Sequence, residues 1–240
     1  AASVLISGVA GAIVVDRLKQ QSTARGANRA AVAVTALVLR GKRRVEAGAE
    51  PQRAPKNVQI AMIGRITPWK GQDLLLRALA QMEAEPRVRF VGGAHFDGDD
   101  AYLAELEELA RRLGIAERVT FTGHVTDPLA EAADADIVVH YSRLTEPFGQ
   151  VVAEAMAAGR VVVAAGAGGP TELIDDGKTG VLVPPRRPDL LAIALDTLID
   201  DWEQREQLSA AARDRGRDLD LKTSAAIADS LLARVARDVR

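Results

Sequence analysis

The 240-residue sequence is 48% hydrophobic, enough for the core of one large domain or two modest ones. It has no cysteine, which excludes disulfides and thiolate metal sites and leaves the cytoplasm as the default location. The net charge of −2 gives no general drive toward nucleic acid, although residues 1–50 hold eight Lys and Arg against three Asp and Glu while the remainder is net acidic.

Neither apolar stretch in the opening segment reads as a membrane span. Ala1 to Val15 has no basic region before it, and Ala30 to Leu39 is about half the length needed to cross a bilayer. Ser3 to Ile6 reads as a buried strand running into a helix through Leu18, as in an interior piece of an α/β domain. The basic character of residues 1–50 suits either anionic lipid headgroups, hence a peripheral contact at the inner face of a membrane, or an acidic protein surface. Residues Gly41 to Lys56, rich in charge, Ala and Pro, read as a linker, with a domain boundary near residue 55.

From Val58 onward short apolar runs alternate with amphipathic stretches. Val58 to Ile63, Val88 to Val91, Arg118 to Phe121, Ile137 to His140, Val161 to Ala165 and Gly180 to Val183 read as strands, β-branched and bounded by turn residues. Most lack two-residue alternation, which predicts burial on both faces in a parallel sheet. Between them Gln72 to Met82, Asp100 to Leu113, Gly149 to Ala158 and Pro188 to Ile199 carry apolar residues at helical spacing. This alternation predicts an α/β fold, a doubly wound parallel sheet whose ligands lie beyond the carboxyl ends of the strands. Extra helices follow, one charged over Asp201 to Arg217 and one amphipathic over Lys222 to Val239.

Two strand-end loops carry the chemistry. The first strand ends in Gly64-Arg65-Ile66-Thr67-Pro68-Trp69-Lys70-Gly71, where Gly64 leaves room at the backbone and Arg65 and Lys70 supply a forked and a point cation suited to a diphosphate. A solvated loop would hold the same residues. The fourth strand's loop reads Thr145-Glu146-Pro147-Phe148-Gly149-Gln150, with Pro147 at a helix start and Gly149 in its first turn, so that backbone N–H groups at the positive end of the helix offer a phosphate seat. Glu154 lies further inside that helix. Carboxylates accept hydrogen bonds from vicinal hydroxyls, so Glu154 suits a ribose and Glu146 the sugar beyond the diphosphate. Charge compensation at a helix start for Glu146, and a surface position for Glu154, are the plain alternatives. Among apolar neighbours Val151, Val152, Ala155 and Met156, Glu154 calls for a partner.

In this order and spacing, Gly64-Arg65, Lys70-Gly71, Glu146-Pro-Phe-Gly and Glu154 resemble the motifs of family-four retaining glycosyltransferases of the GT-B architecture. The likeness spans Val58 to Asp201 and takes in Gly168-Gly169-Pro170-Thr171-Glu172 and Gly177-Lys178-Thr179-Gly180, similar to the family's glycine-rich loop and the turn after it. The resemblance implies that Arg65 and Lys70 grip the diphosphate of a nucleotide-sugar donor, Glu154 holds the ribose and Glu146 the hexose. It implies that Phe148, Gly149 and Gln150 line sugar and phosphate through main-chain N–H groups, and that backbone near Val125 meets the base. Arg65, Lys70 and Glu146 are then the catalytic set, with no cofactor and no bound metal, and with a glycan, lipid or small-molecule acceptor. Residues 1–55 are expected as a remnant of an N-terminal acceptor domain plus linker, 56–217 as the Rossmann-like nucleotide-sugar-binding domain, and 218–240 as a helix packing back toward the N-terminal part. A nucleotide-sugar-binding module without turnover and a sugar-nucleotide epimerase are the competing readings. A hydrolase fits poorly, because both carboxylates lie on one loop and helix. His95 reads as part of a loop closing onto a helix, and His124 and His140 as hydrogen-bonded structure.

Overall fold

The computed structural model describes residues 58–94 and 99–218. The expected strand at Ser3 to Ile6 with its helix, the linker, the His95 loop and the final helix over Lys222 to Val239 lie outside the described residues. Among those residues, six strands form one sheet: β1 (Gln59–Ile63), β2 (Arg87–Val91), β3 (Val119–Gly123), β4 (Ile137–His140), β5 (Val161–Ala165) and β6 (Val181–Val183). All neighbours are parallel and the spatial order is β3-β2-β1-β4-β5-β6, the doubly wound arrangement expected from the β-α alternation.

The helices are α1 (Gln72–Leu79), α2 (Asp99–Arg112), α3 (Pro128–Ala133), α4 (Gln150–Ala157), α5 (Pro170–Leu173), α6 (Pro188–Asp200) and α7 (Trp202–Asp218). Helix α1 packs against α2 and α6, and α4 packs against α3 and α5. Right-handed crossovers put these two groups on opposite faces of the sheet. The strands beneath are buried accordingly. Every residue of β4 and β5 is buried, as is all of β1 beyond Gln59, whereas the edge strand β3 is only partly covered. Phe90 of β2 stacks on Phe121 of β3, with ring centroids 5.0 Å apart.

Helix α7 is fastened by polar contacts. Arg205, 1% exposed, donates from one guanidinium nitrogen to the carbonyls of Leu198 and Ile199 in the last turn of α6. Those carbonyls have no N–H donors left within their own helix, so a buried cation serves as their cap. At the other end Arg215 donates to the carbonyls of Leu173 and Glu172, closing the end of α5.

The switch point of the topology lies between β1 and β4, the central strands from which the chain runs outward in both directions. The loops leaving their carboxyl ends are residues 64–71 and 141–149. Tyr141, buried behind the second loop, is held in turn by the segment after β6: its hydroxyl donates to the Pro184 carbonyl and accepts from the Arg187 N–H at 3.1 Å.

Candidate functional site

The loop after β1 is rigid for reasons written in its sequence. Gln72, 2% exposed, donates to the Arg65 carbonyl at 2.7 Å, and the Ile66 N–H reaches the Gly93 carbonyl beyond β2 at 3.1 Å. Pro68–Lys70 form a 3-10 turn that feeds α1 through Gly71 at φ 80°. A Cβ at Gly71 would lie 2.3 Å from the Tyr141 carbonyl oxygen, so only glycine allows α1 to start this close to the β4 loop. Lys70 is thereby placed over the Trp69 ring, its Nζ 4.3 Å from the centroid. Gly64 borders the Lys70 stem, and Arg65 is exposed.

The loop after β4 is pinned on both sides. The Arg143 N–H donates to the Trp69 carbonyl at 2.8 Å, and its guanidinium grips Asp73 of α1, which also accepts from the Tyr102 hydroxyl at 3.2 Å. On the far side Gly168 and Gly169 clasp the chain: the Gly169 N–H donates to the Glu146 carbonyl at 2.7 Å, and a Cβ at Gly168 would sit 2.3 Å from that oxygen. The glycine-rich loop after β5 is thus a backbone splint for residues 146–148.

Between these supports the structure brings Lys70 and Glu146 into direct contact. Lys70 Nζ donates to Glu146 Oε2 at 2.9 Å, and the Ser142 hydroxyl donates to the same oxygen at 3.1 Å. His140 Nε2 stands 3.6 Å from it. Burial would push the Glu146 carboxyl up, but the facing His140 and Lys70 outweigh it and hold the group down at about 2. Glu146 is therefore a carboxylate at neutral pH, half-buried among donors rather than a free charge at a helix start.

Helix α4 departs from the sequence expectation by a residue or more. It begins at Gln150, with Gly149 as its N-cap at φ 71°, and Pro147 lies outside it in an exposed position. The cause is the splint, which holds Glu146 and Phe148 against Gly168 and Gly169 before the helix can start. The first-turn N–H groups that open α4 are accordingly those from Gln150 on, not from Pro147. Glu154, just past that turn, is 5% exposed, which removes the surface-carboxylate alternative. Its expected partner is Gln150, whose side-chain amide donates to Glu154 Oε1 at 3.1 Å. Phe148 is half-buried against the Gly169 backbone, and Val125 lies two residues beyond the edge strand β3.

The sequence reading missed the supports. Asp73, Tyr102, Arg143 and Ser142 were not singled out, and His140 was read as plain structure. Only His140, Ser142 and Arg143 had a signal, their position within six residues of Glu146 at the end of a central strand.

Comparison with known proteins places this geometry. Residues 46–215 match the family model described as glycosyl transferases group 1, and residues 1–57 match a separate model, a protein of unknown function (DUF1490). The D-inositol 3-phosphate glycosyltransferase of Corynebacterium diphtheriae is 41% identical over 159 residues, covering 64% of this chain and 37% of that protein. The crystal structure of Anabaena HepE in complex with UDP and glucose superposes with a TM-score of 0.69 at 34% identity, covering 76% of this chain and 49% of HepE. The C-terminal domain of a group 1 glycosyl transferase, LpcC, from Francisella tularensis gives a TM-score of 0.60 at 28% identity, with 72% of this chain and 91% of that domain covered. The chain spans well under two thirds of the first two relatives' length. With more than half of its residues matched by the family model and the GT-B sheet order in place, it belongs to the group 1 glycosyl transferases.

Proposed function

We propose that residues 58–217 form the donor-binding half of a retaining glycosyltransferase, which takes a hexose from a nucleoside diphosphate sugar and passes it to an acceptor hydroxyl. The observation that carries this reading is the convergence of Lys70, Glu146 and the start of α4 at the switch point between β1 and β4. The likeness to HepE, solved with UDP and glucose, supports the same class of donor.

In this reading Arg65, Lys70 and the first-turn N–H groups of α4 neutralise charge on the departing diphosphate, and Glu154 with Gln150 holds the ribose. Glu146 receives hydroxyls of the hexose, Phe148 and Gly149 line it, and backbone near Val125 meets the base. Retention through departure and attack on one face of the sugar needs no protein nucleophile. The rate then comes from electrostatic stabilisation and from positioning of the two reactants. The donor is a substrate and no cofactor enters. Glycan, lipid or small molecule remains the acceptor class, and the basic segment within residues 1–50 suits a lipid acceptor met at the inner face of a membrane.

Titration calorimetry with a panel of nucleoside diphosphates and their sugar conjugates tests the donor site. One base series binds saturably to the wild type, and Lys70→Ala and Glu154→Ala each weaken it by about tenfold or more. Binding by no diphosphate, or equal binding in both variants, would defeat the reading.

A further inference from the structure

His140 is the last residue of β4, 3% exposed and paired in register with Ala164 of β5. Its Nδ1 has no hydrogen-bond partner among the described residues, and its Nε2 faces Glu146 Oε2 at 3.6 Å. A neutral imidazole carries one proton, and Glu146 can only accept. The proton therefore belongs on Nε2, where it points at the carboxylate, leaving Nδ1 as the bare lone pair. The three groups facing Glu146, namely Lys70, Ser142 and His140, all address Oε2. Oε1 has no partner among the described residues.

This asymmetry matters if Lys70 serves the diphosphate, and the inference rests on that proposed donor site. Lys70 Nζ is 2.9 Å from Glu146 with no donor bound, and a diphosphate that draws the ammonium toward itself divides its three N–H donors between two anions and weakens its hold on the carboxylate. As that hold weakens, the orientation of the carboxylate depends on the remaining donors to Oε2. Ser142 and the imidazole are the groups left within reach, and the closing distance from 3.6 Å to hydrogen-bond length is small. We propose that His140 is a positioning residue, whose Nε2–H holds the Glu146 carboxylate in the orientation that offers Oε1 to the donor sugar while Lys70 is engaged elsewhere. It touches neither substrate nor reacting atoms itself.

The test compares His140→Leu, which keeps the bulk and removes the donor, with His140→Gln, which restores an N–H. The probes are UDP and UDP-glucose, or the corresponding pair of whichever base the panel selects. A positioning role predicts that the preference for the sugar conjugate over the bare diphosphate falls about tenfold in His140→Leu and largely returns in His140→Gln, with diphosphate affinity in both within about twofold of wild type. An unchanged preference in His140→Leu, or parallel loss of both ligands in both variants, would overturn the role of His140 while leaving the donor site standing. If the wild type binds neither ligand of any pair, the donor site fails and this role with it. Nitrogen NMR on the ligand-free protein gives a reading independent of nucleotide. The His140 proton is expected on Nε2, with that resonance moving in Glu146→Gln, and a proton on Nδ1 or an unmoved resonance would sink the proposal.

Discussion

At Glu146 two opposed effects meet, and their balance can be measured. Burial raises the carboxyl from its ordinary 4.5, and the facing His140 and Lys70 bring it down to about 2. A group whose folded value is depressed contributes stability that is fully present above its unfolded value and disappears as pH falls through the folded one. For Glu146 that window runs from about 4.5 down to about 2. The contribution at neutral pH is up to about 3 kcal/mol. Glu146→Gln should therefore be less stable than wild type at pH 6, with the gap narrowing by pH 3, as read by urea denaturation at the two values. An equal gap at both would mean that the ion pair with Lys70 adds nothing to the fold. Glu154 shows how far residue identity alone can lead. Its apolar neighbours demanded a partner, and a partner one helical turn away at Gln150 was within reach of the spacing rule.

Among the elements, legibility followed locality. Strands β1, β4 and β5 are buried on both faces and spell it in unbroken apolar runs, so their bounds were read to within a residue. Helices α3 and α5 went unread because six and four residues are too few to show a period. The supports of the site were hidden for a different reason. Arg143 meets Asp73 across 70 residues of sequence, and Tyr102 meets it across 29, so no window on the chain could join them. Arg205 belongs with these, since a lone Arg in a charged helix reads as solvated, yet it is almost fully buried on the end of α6. Removing it leaves two carbonyls unpaired and a cavity where its stem packed. Arg205→Ala should cost about 2–4 kcal/mol by urea denaturation, with diphosphate affinity at the distant switch point unchanged. A cost below about 0.5 kcal/mol would assign the arginine to the surface class after all.

Over the whole molecule, the site has no private scaffold. Lys70 comes from the loop after β1, Glu146 from the loop after β4, and the glycine splint from the loop after β5, all carried by one parallel sheet. Parallel pairing offers few places to open such a sheet in part, because each strand's neighbours lie far away in sequence. Loss of the sheet is then loss of the site, and ligand binding must be linked to global unfolding. At a donor concentration about 100 times Kd, linkage adds about 2.7 kcal/mol to the unfolding free energy of a protein that binds only when folded. The urea midpoint should rise by that amount divided by the slope, and the slope itself should stay constant, since the same surface is exposed with and without ligand. Lys70→Ala, with affinity down about tenfold, should gain no more than about 1.4 kcal/mol at the same concentration. A smaller gain with a changed slope would mean that the two central loops persist in a partly unfolded state, and that the switch point is stabilised by its own cross-links of Arg143, Asp73 and Tyr102 rather than by the sheet beneath it.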